Sequence, residues 1–158
     1  MIRYSSEITI ARPPKAVFDA LLDPALYSKW TPMVDMSFED SGPPRVGSRG
    51  RFRMAEGPIK GLLDMEITEL QPERRLAIRV THPSLDWLAV TTLQPDEHGT
   101  RVTYAGEMAL RGWRRILEPM MGREVSKGEA TEIRRFKVLL EDHPSGEVES
   151  ARDPDPAS

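Results

Sequence analysis

The chain predicts an α+β domain: a seven-stranded curved antiparallel sheet around a long C-terminal helix, with two short helices after the first strand. Three observations predict it. A doubly broken helical segment follows the first strand, between Pro13 and Pro32. Most of the sequence from Val34 to Met108 alternates apolar and polar residues with period two, which is the mark of half-buried strands. One amphipathic stretch, Trp113 to Leu140, then closes the domain.

The first strand is read from Ile2, Tyr4, Ile8 and Ile10, which alternate with Arg3, Ser5, Glu7 and Thr9. Pro13-Pro14 ends it, and a proline in the first helical turn costs no hydrogen bond. Val17, Phe18, Leu21 and Leu22 then recur at helical spacing, and Asp23-Pro24 opens a second short helix with Leu26, Tyr27 and Trp30. Neither helix is long enough to stand alone, so Trp30 is expected to wedge the pair onto the sheet.

The meander follows. Val34, Met36 and Phe38 share one parity, as do Gly50, Phe52 and Met54, then Leu63, Met65 and Ile67, then Leu76, Ile78 and Val80. Turn signals separate them at Ser41-Gly42-Pro43-Pro44, Glu56-Gly57-Pro58 and Gln71-Pro72-Glu73. Val102, Tyr104 and Met108 mark the last strand after Pro95 to Gly99. Between Leu85 and Gln94 the parity is open, because Trp87 and Leu88 compete for the inside. In the closing helix, Trp113, Ile116, Leu117, Met120, Met121, Val125, Ile133, Phe136 and Leu140 form one stripe. Pro119 is expected to kink it, and Gly112, Gly122 and Gly128 to weaken its start. The mouth of any pocket is therefore expected near Pro119 to Gly122.

At 158 residues the chain is one domain of ordinary size. The domain is placed at 1–141 and a disordered acidic tail at 142–158, where apolar periodicity stops. Net charge is −3 with a pI near 5.7, which gives no general bias toward nucleic acid. No cysteine is present, so disulfides, thiolate catalysis and thiolate metal sites are excluded. The histidines, His82, His98 and His143, are scattered without ligand spacing, so neither metal nor cofactor is expected. No basic and then apolar segment precedes the first strand, and no apolar run approaches about 20 residues. A cytoplasmic protein without integral membrane association is expected, as a monomer or weak homodimer.

The pieces Ile10-Ala11-Arg12-Pro13-Pro14 with Val17-Phe18, Tyr27-Ser28-Lys29-Trp30 and Gly47-Ser48-Arg49-Gly50 are informative together. So are Leu93-Gln94-Pro95 with Gly99-Thr100-Arg101-Val102-Thr103-Tyr104, and Arg135-Phe136-Lys137-Val138-Leu139-Leu140-Glu141. They resemble the helix-grip fold of the START-like (SRPBCC) superfamily, in its polyketide cyclase/dehydrase-like branch, over residues 1 to 141. The resemblance implies an apolar cavity between sheet and helix, in a superfamily whose members bind lipids, sterols, hormones or polyketides. Some are cyclases or hydrolases. Fold alone does not choose among these.

Methionine usage is the most suggestive local feature. Met36, Met54, Met65 and Met108 fall on the inner parity, and Met120 and Met121 lie opposite on the helix. Flexible thioethers suit a pliable binding surface, although each could also be ordinary core filling. With Phe52, Ile78 and Trp87 they make the expected cavity wall. Inner polar groups are few: Ser6, His82, Thr91 and Tyr104, with Tyr104 favoured to orient a ligand and Gly106 beside it expected to widen the cavity. His82 is placed at the rim.

No nucleophile motif is present. Arg49, Arg51 and Arg53, like Asp64 and Glu66, have outward parity, and the helix charges are assigned to a solvated face. Those are eight basic residues (Arg111, Arg114, Arg115, Arg123, Lys127, Arg134, Arg135, Lys137) against Glu118, Glu124, Glu129 and Glu132, net +4, with Arg114 and Glu118 at pairing distance. An interior without charge argues against acid–base catalysis, so no catalytic residue is assigned. Binding of an apolar lipid, aromatic or polyketide is favoured over a cyclase or aromatase, and over a stress or assembly factor working through protein contacts.

Overall fold

The computed structural model describes residues 1–56 and 59–142. Of the expected tail, everything after Asp142 lies outside the described residues.

Strand β1 (Ile2–Ile10) leads into α1 (Pro14–Leu21), a 3-10 turn (Pro24–Leu26) and α2 (Tyr27–Trp30). Six strands follow: β2 (Met33–Phe38), β3 (Arg49–Met54), β4 (Gly61–Gln71), β5 (Arg75–His82), β6 (Leu85–Asp96) and β7 (Gly99–Leu110). A 3-10 segment (Gly112–Leu117) then precedes the 25-residue helix α3 (Glu118–Asp142). Every neighbouring pair in the sheet is antiparallel, in the order β1-β7-β6-β5-β4-β3-β2. This is the helix-grip architecture: a seven-stranded curved sheet holding its C-terminal helix.

Local chemistry fixes the helical pair. Pro14 opens α1. The Asp23 carboxylate accepts from the Ala25 amide at 3.0 Å, capping the 3-10 turn. The Tyr27 hydroxyl donates to the Leu21 carbonyl at 2.7 Å, tying α2 to the end of α1. Thr31 donates to the Tyr27 carbonyl and accepts from the Met33 amide, so the chain enters β2 at a set angle. Trp30 is buried to 1 % exposure as expected, with its ring 4.6 Å from Phe136 of α3, 5.1 Å from Tyr27 and 6.1 Å from Tyr104.

The outer face carries the charge ladder that parity predicts. Arg49 pairs with Glu66 at 3.2 Å, Arg51 with Asp64 at 2.9 Å and Arg53 with Asp35 at 2.8 Å. In β6, Leu85, Trp87, Thr91 and Leu93 are buried, so Trp87 takes the inside.

Three expectations are corrected. Val34 does not share a face with Met36: a register shift between Val34 and Ser37, with Asp35 at φ 55°, turns Met33 inward and pairs Val34 with outward Arg53. Pro119 does not kink a helix, because it sits in the first turn of α3, where its missing N–H has no partner to lose. The buried stripe consequently begins later. Trp113, Ile116 and Met120 are exposed.

Candidate functional site

Two hollows lie inside the grip, and Trp87 is the wall between them. The inner one, between the sheet and the short helices, measures only about 30 Å³. That is room for a water molecule or two. Trp30, Tyr27, Phe52, Met65, Thr91 and Tyr104 crowd it. The second hollow is a groove of about 740 Å³ between α3, the outer ends of β6 and β7, and the turns at Thr31 and Glu56. Its walls are apolar: Met54, Ile59, Leu63, Leu85, Trp87, Met108, Met121 and Val125. Volumes of about 300–1,000 Å³ are usual for small-molecule sites.

The floor is not apolar. Glu129 is only 7 % exposed, and Glu132 lies one turn further along the same face of α3. The two carboxyls lie close enough to shift each other's ionisation, and the Tyr104 hydroxyl lies beside Glu129. One oxygen of each, Oε2, remains buried without a partner. Native proteins satisfy nearly all such atoms, so two in one place need an explanation.

Burial raises both pKa values. Glu129 goes up to about 7, against a downward pull from the neighbouring Glu132 and Tyr104 side chains. Glu132 goes up to about 9, by burial first and then by the Glu129 charge, with Arg135 opposing. Two carboxyls this close share a proton at neutral pH. The Tyr104 hydroxyl is held neutral by burial and by the same charge. The four remaining charges on the groove, Glu56, Glu124, Lys127 and Arg135, cancel in sign.

The expectation of an interior without charge is therefore overturned. The missed signal lay in the helical repeat itself. Glu129 stands four residues after Val125 and four before Ile133, inside the apolar stripe.

The structure divides the expected wall residues. Met36, Phe52, Met65, Ile78, Thr91 and Tyr104 line the small inner hollow. Met54, Met108 and Met121 line the groove, and Trp87 faces both. Two residues lie outside. Met120 is exposed because α3 begins only two residues before it, which rotates it away from the sheet. His82 closes the turn after β5, its Nδ1 accepting from the Ser84 amide at 3.0 Å. Gly106 does not widen a cavity either. Tyr4 is its cross-strand partner and fills the space, so that a Cβ on Gly106 would stand 2.3 Å from the Tyr4 hydroxyl. That hydroxyl accepts from the Trp87 indole at 2.8 Å, which fixes the wall between the hollows. Among the described residues, no three His, Cys, Asp or Glu side chains converge as metal ligands.

Over residues 1–141 the sequence matches the family described as polyketide cyclase / dehydrase and lipid transport. The chain belongs to that family. Solved structures of the same fold include a protein from Nitrosomonas europaea, 26 % identical with a TM-score of 0.67, covering 89 % of this chain and 95 % of that one. One from Chromobacterium violaceum is 19 % identical, with a TM-score of 0.66 over 88 % of this chain and 96 % of its own. DynU16, from the dynemicin biosynthetic locus, is 18 % identical with a TM-score of 0.66, over 92 % of this chain and 49 % of its own. No protein of curated function matches the sequence. Family membership brings a fold and a range of apolar ligands, and the residues of the groove must choose within that range.

Proposed function

We propose that this protein binds an apolar small molecule, such as a lipid, an aromatic or a polyketide, in the groove under α3. The observation that carries the reading is a hollow of about 740 Å³ with apolar walls and unpartnered carboxyl oxygens on its floor. Apolar surface supplies affinity, and a few buried polar atoms set orientation. The ligand that fits has a hydrocarbon body and a hydrogen-bonding group that reaches Glu129 and Glu132. A ligand ending in a carboxylate is disfavoured, because a second negative charge beside the proton-sharing pair is repelled.

Native mass spectrometry of gently purified protein tests this directly, through the mass of any co-purified molecule. A fluorescent apolar dye gives the second arm. It should bind the wild type and be excluded when Met121→Trp fills the groove, with the unfolding midpoint little changed. Equal dye binding by both would remove the groove from consideration.

A second reading is favoured by the carboxyl pair alone. One ionised carboxylate can take a proton from a carbon between two carbonyls, while its protonated partner donates a hydrogen bond to the enolate oxygen. That is the proton inventory a cyclisation needs, and it makes an enzyme of cyclase type the alternative. The test is turnover of a poly-β-ketone thioester. Loss of turnover in Glu129→Gln with dye binding intact would establish the enzyme reading, and no rate above buffer would end it.

A further inference from the structure

The ligand groove occupies one side of α3, and the segment in front of the helix presents a different surface. Trp113, Ile116 and Met120 are 71 %, 78 % and 77 % exposed. Trp113 and Ile116, three apart, share a face of the 3-10 segment, and Met120 is exposed in the first turn of α3 just beyond it. Gly112, at φ 66°, turns this segment out from the end of β7.

The same segment carries basic residues. The Arg114 guanidinium lies 5.7 Å from the Trp113 ring. Arg115, Arg123 and Lys127 are exposed, and with Met1 and Arg3 they line a second groove of about 700 Å³ beside the helix start. Its acid is Glu118, already occupied by the Leu110 amide and the N-terminal amine. Arg3 and Arg111 are paired with Glu107 and Asp86. Arg114, Arg115, Arg123 and Lys127 are the cations left to face a partner, with the exposed Glu124 as the one free acid among them.

Single exposed apolar residues are common and mean little. Three within eight residues, one of them a tryptophan, on a segment rich in arginine and lysine, fit the boundary between hydrocarbon and anionic head groups. We propose that residues 112–127 dock this protein on an anionic lipid bilayer. Trp113, Ile116 and Met120 enter the head-group layer, and Arg114, Arg115, Arg123 and Lys127 lie against lipid phosphates. No helix among the described residues is long and apolar enough to cross a membrane, so the contact is peripheral. Nucleic acid suits the patch less well, because one aromatic flanked by aliphatic side chains offers bases no stacking series.

The docking does not depend on what the groove binds, but its use does. Met121 follows Met120 directly, and Lys127 lines both grooves. A docked segment therefore brings the mouth of the ligand groove to the lipid surface, where an apolar ligand would enter or leave.

Tryptophan emission of the full chain tests the proposal. Trp30 and Trp87 are buried, so Trp113 is the exposed reporter. Vesicles of equal parts phosphatidylcholine and phosphatidylglycerol should shift emission to the blue, and vesicles of phosphatidylcholine alone should not. Added salt should reverse the shift. Ile116→Ser with Met120→Ser should lower the partition coefficient at least tenfold. Arg115→Glu with Arg123→Glu should lower it by about fivefold or more per charge. Both double variants should keep the parent unfolding midpoint, since the side chains are exposed. No shift on anionic vesicles, or binding that ignores the arginine changes, overturns the proposal. So does a patch that binds RNA or a second copy of the chain in vesicle-free sedimentation. Dye uptake by the groove is measured without vesicles, so failure of docking and failure of the ligand reading are distinguishable.

Discussion

Glu129→Gln combined with Glu132→Gln should flatten the dependence of stability on pH between about 5 and 9. Glutamine keeps the size and hydrogen-bonding reach of glutamate and cannot ionise. In the folded state burial raises the Glu129 carboxyl from 4.5 up to about 7 and the Glu132 carboxyl up to about 9. The sign follows from proton counting. Between the unfolded and folded values the native state holds protons that the unfolded chain has released. Stability from these groups is complete below 4.5 and is lost as pH rises through 7 and toward 9. Lifting Glu129 alone corresponds to about 3 kcal/mol, at about 1.4 kcal/mol per pH unit.

The window is clean with respect to the other displaced groups. Asp96, Glu118 and Glu141 are shifted down by hydrogen bonds, to the Asp96 carboxylate from His98, to Glu118 from the N-terminal amine and to Glu141 from Ala11. Their contribution is lost only on acidification. Tyr4 and Tyr104 are displaced upward and stay neutral throughout. Urea unfolding at pH 5, 7 and 9 reads the effect. Relative to the double variant, the wild type should lose at least about 3 kcal/mol across that range, the Glu129 share with that of Glu132 added to it, with m unchanged. Parallel pH profiles for the two proteins would refute the claim that these carboxyls are buried and protonated.

The other expected outcomes are briefer. Trp30→Ala should cost about 3–5 kcal/mol in urea unfolding, since a fully buried indole against Phe136, Tyr27 and Tyr104 leaves a cavity no neighbour can close. Gly106→Ala should cost about 1–3 kcal/mol and perturb near-UV circular dichroism, because the new methyl meets the Tyr4 hydroxyl and the Leu88 carbonyl. In hydrogen exchange, amides from Leu117 to Gly128 should exchange faster than those from Arg134 to Leu140. The first stretch carries Gly122 and Gly128 with open space around them, and the second packs Phe136 and Leu140 into the core. A bound apolar molecule should slow the first group preferentially, and uniform protection would argue for a solid helix–sheet contact.

Periodicity made the sheet legible, and it did so where each strand keeps one face in the core. It failed at Asp35, where one residue in a left-handed conformation reverses the faces of Met33 and Val34 relative to Met36, something alternation alone cannot register. In the helix the failure had another cause. Glutamate was assigned by type, and charge is a good guide to exposure except where burial has neutralised it. Glu129 lies at a core position by spacing and at a surface position by chemistry. Such a conflict between levels is where function concentrates. The exposed residues before α3 depart from the pattern for the opposite reason. Trp113 and Ile116 continue the helical pattern on paper, but they lie in a 3-10 segment before α3, so their phase does not carry into the buried stripe of that helix.

The placement of the hollow follows from a short chain of side chains. A glycine at 106 lets the Tyr4 ring lie across β7, and the Tyr4 hydroxyl then accepts from the Trp87 indole at 2.8 Å. Held there, Trp87 closes the space between sheet and helix at its middle. The inner part is taken up by Trp30, Tyr27 and Tyr104, leaving about 30 Å³. What remains is the outer groove, where the same Trp87 forms the back wall and the carboxyl pair of α3 the floor. The proposed ligand would accordingly lie close to the surface rather than deep within the grip. Its polar group would then meet the unpartnered oxygens of Glu129 and Glu132.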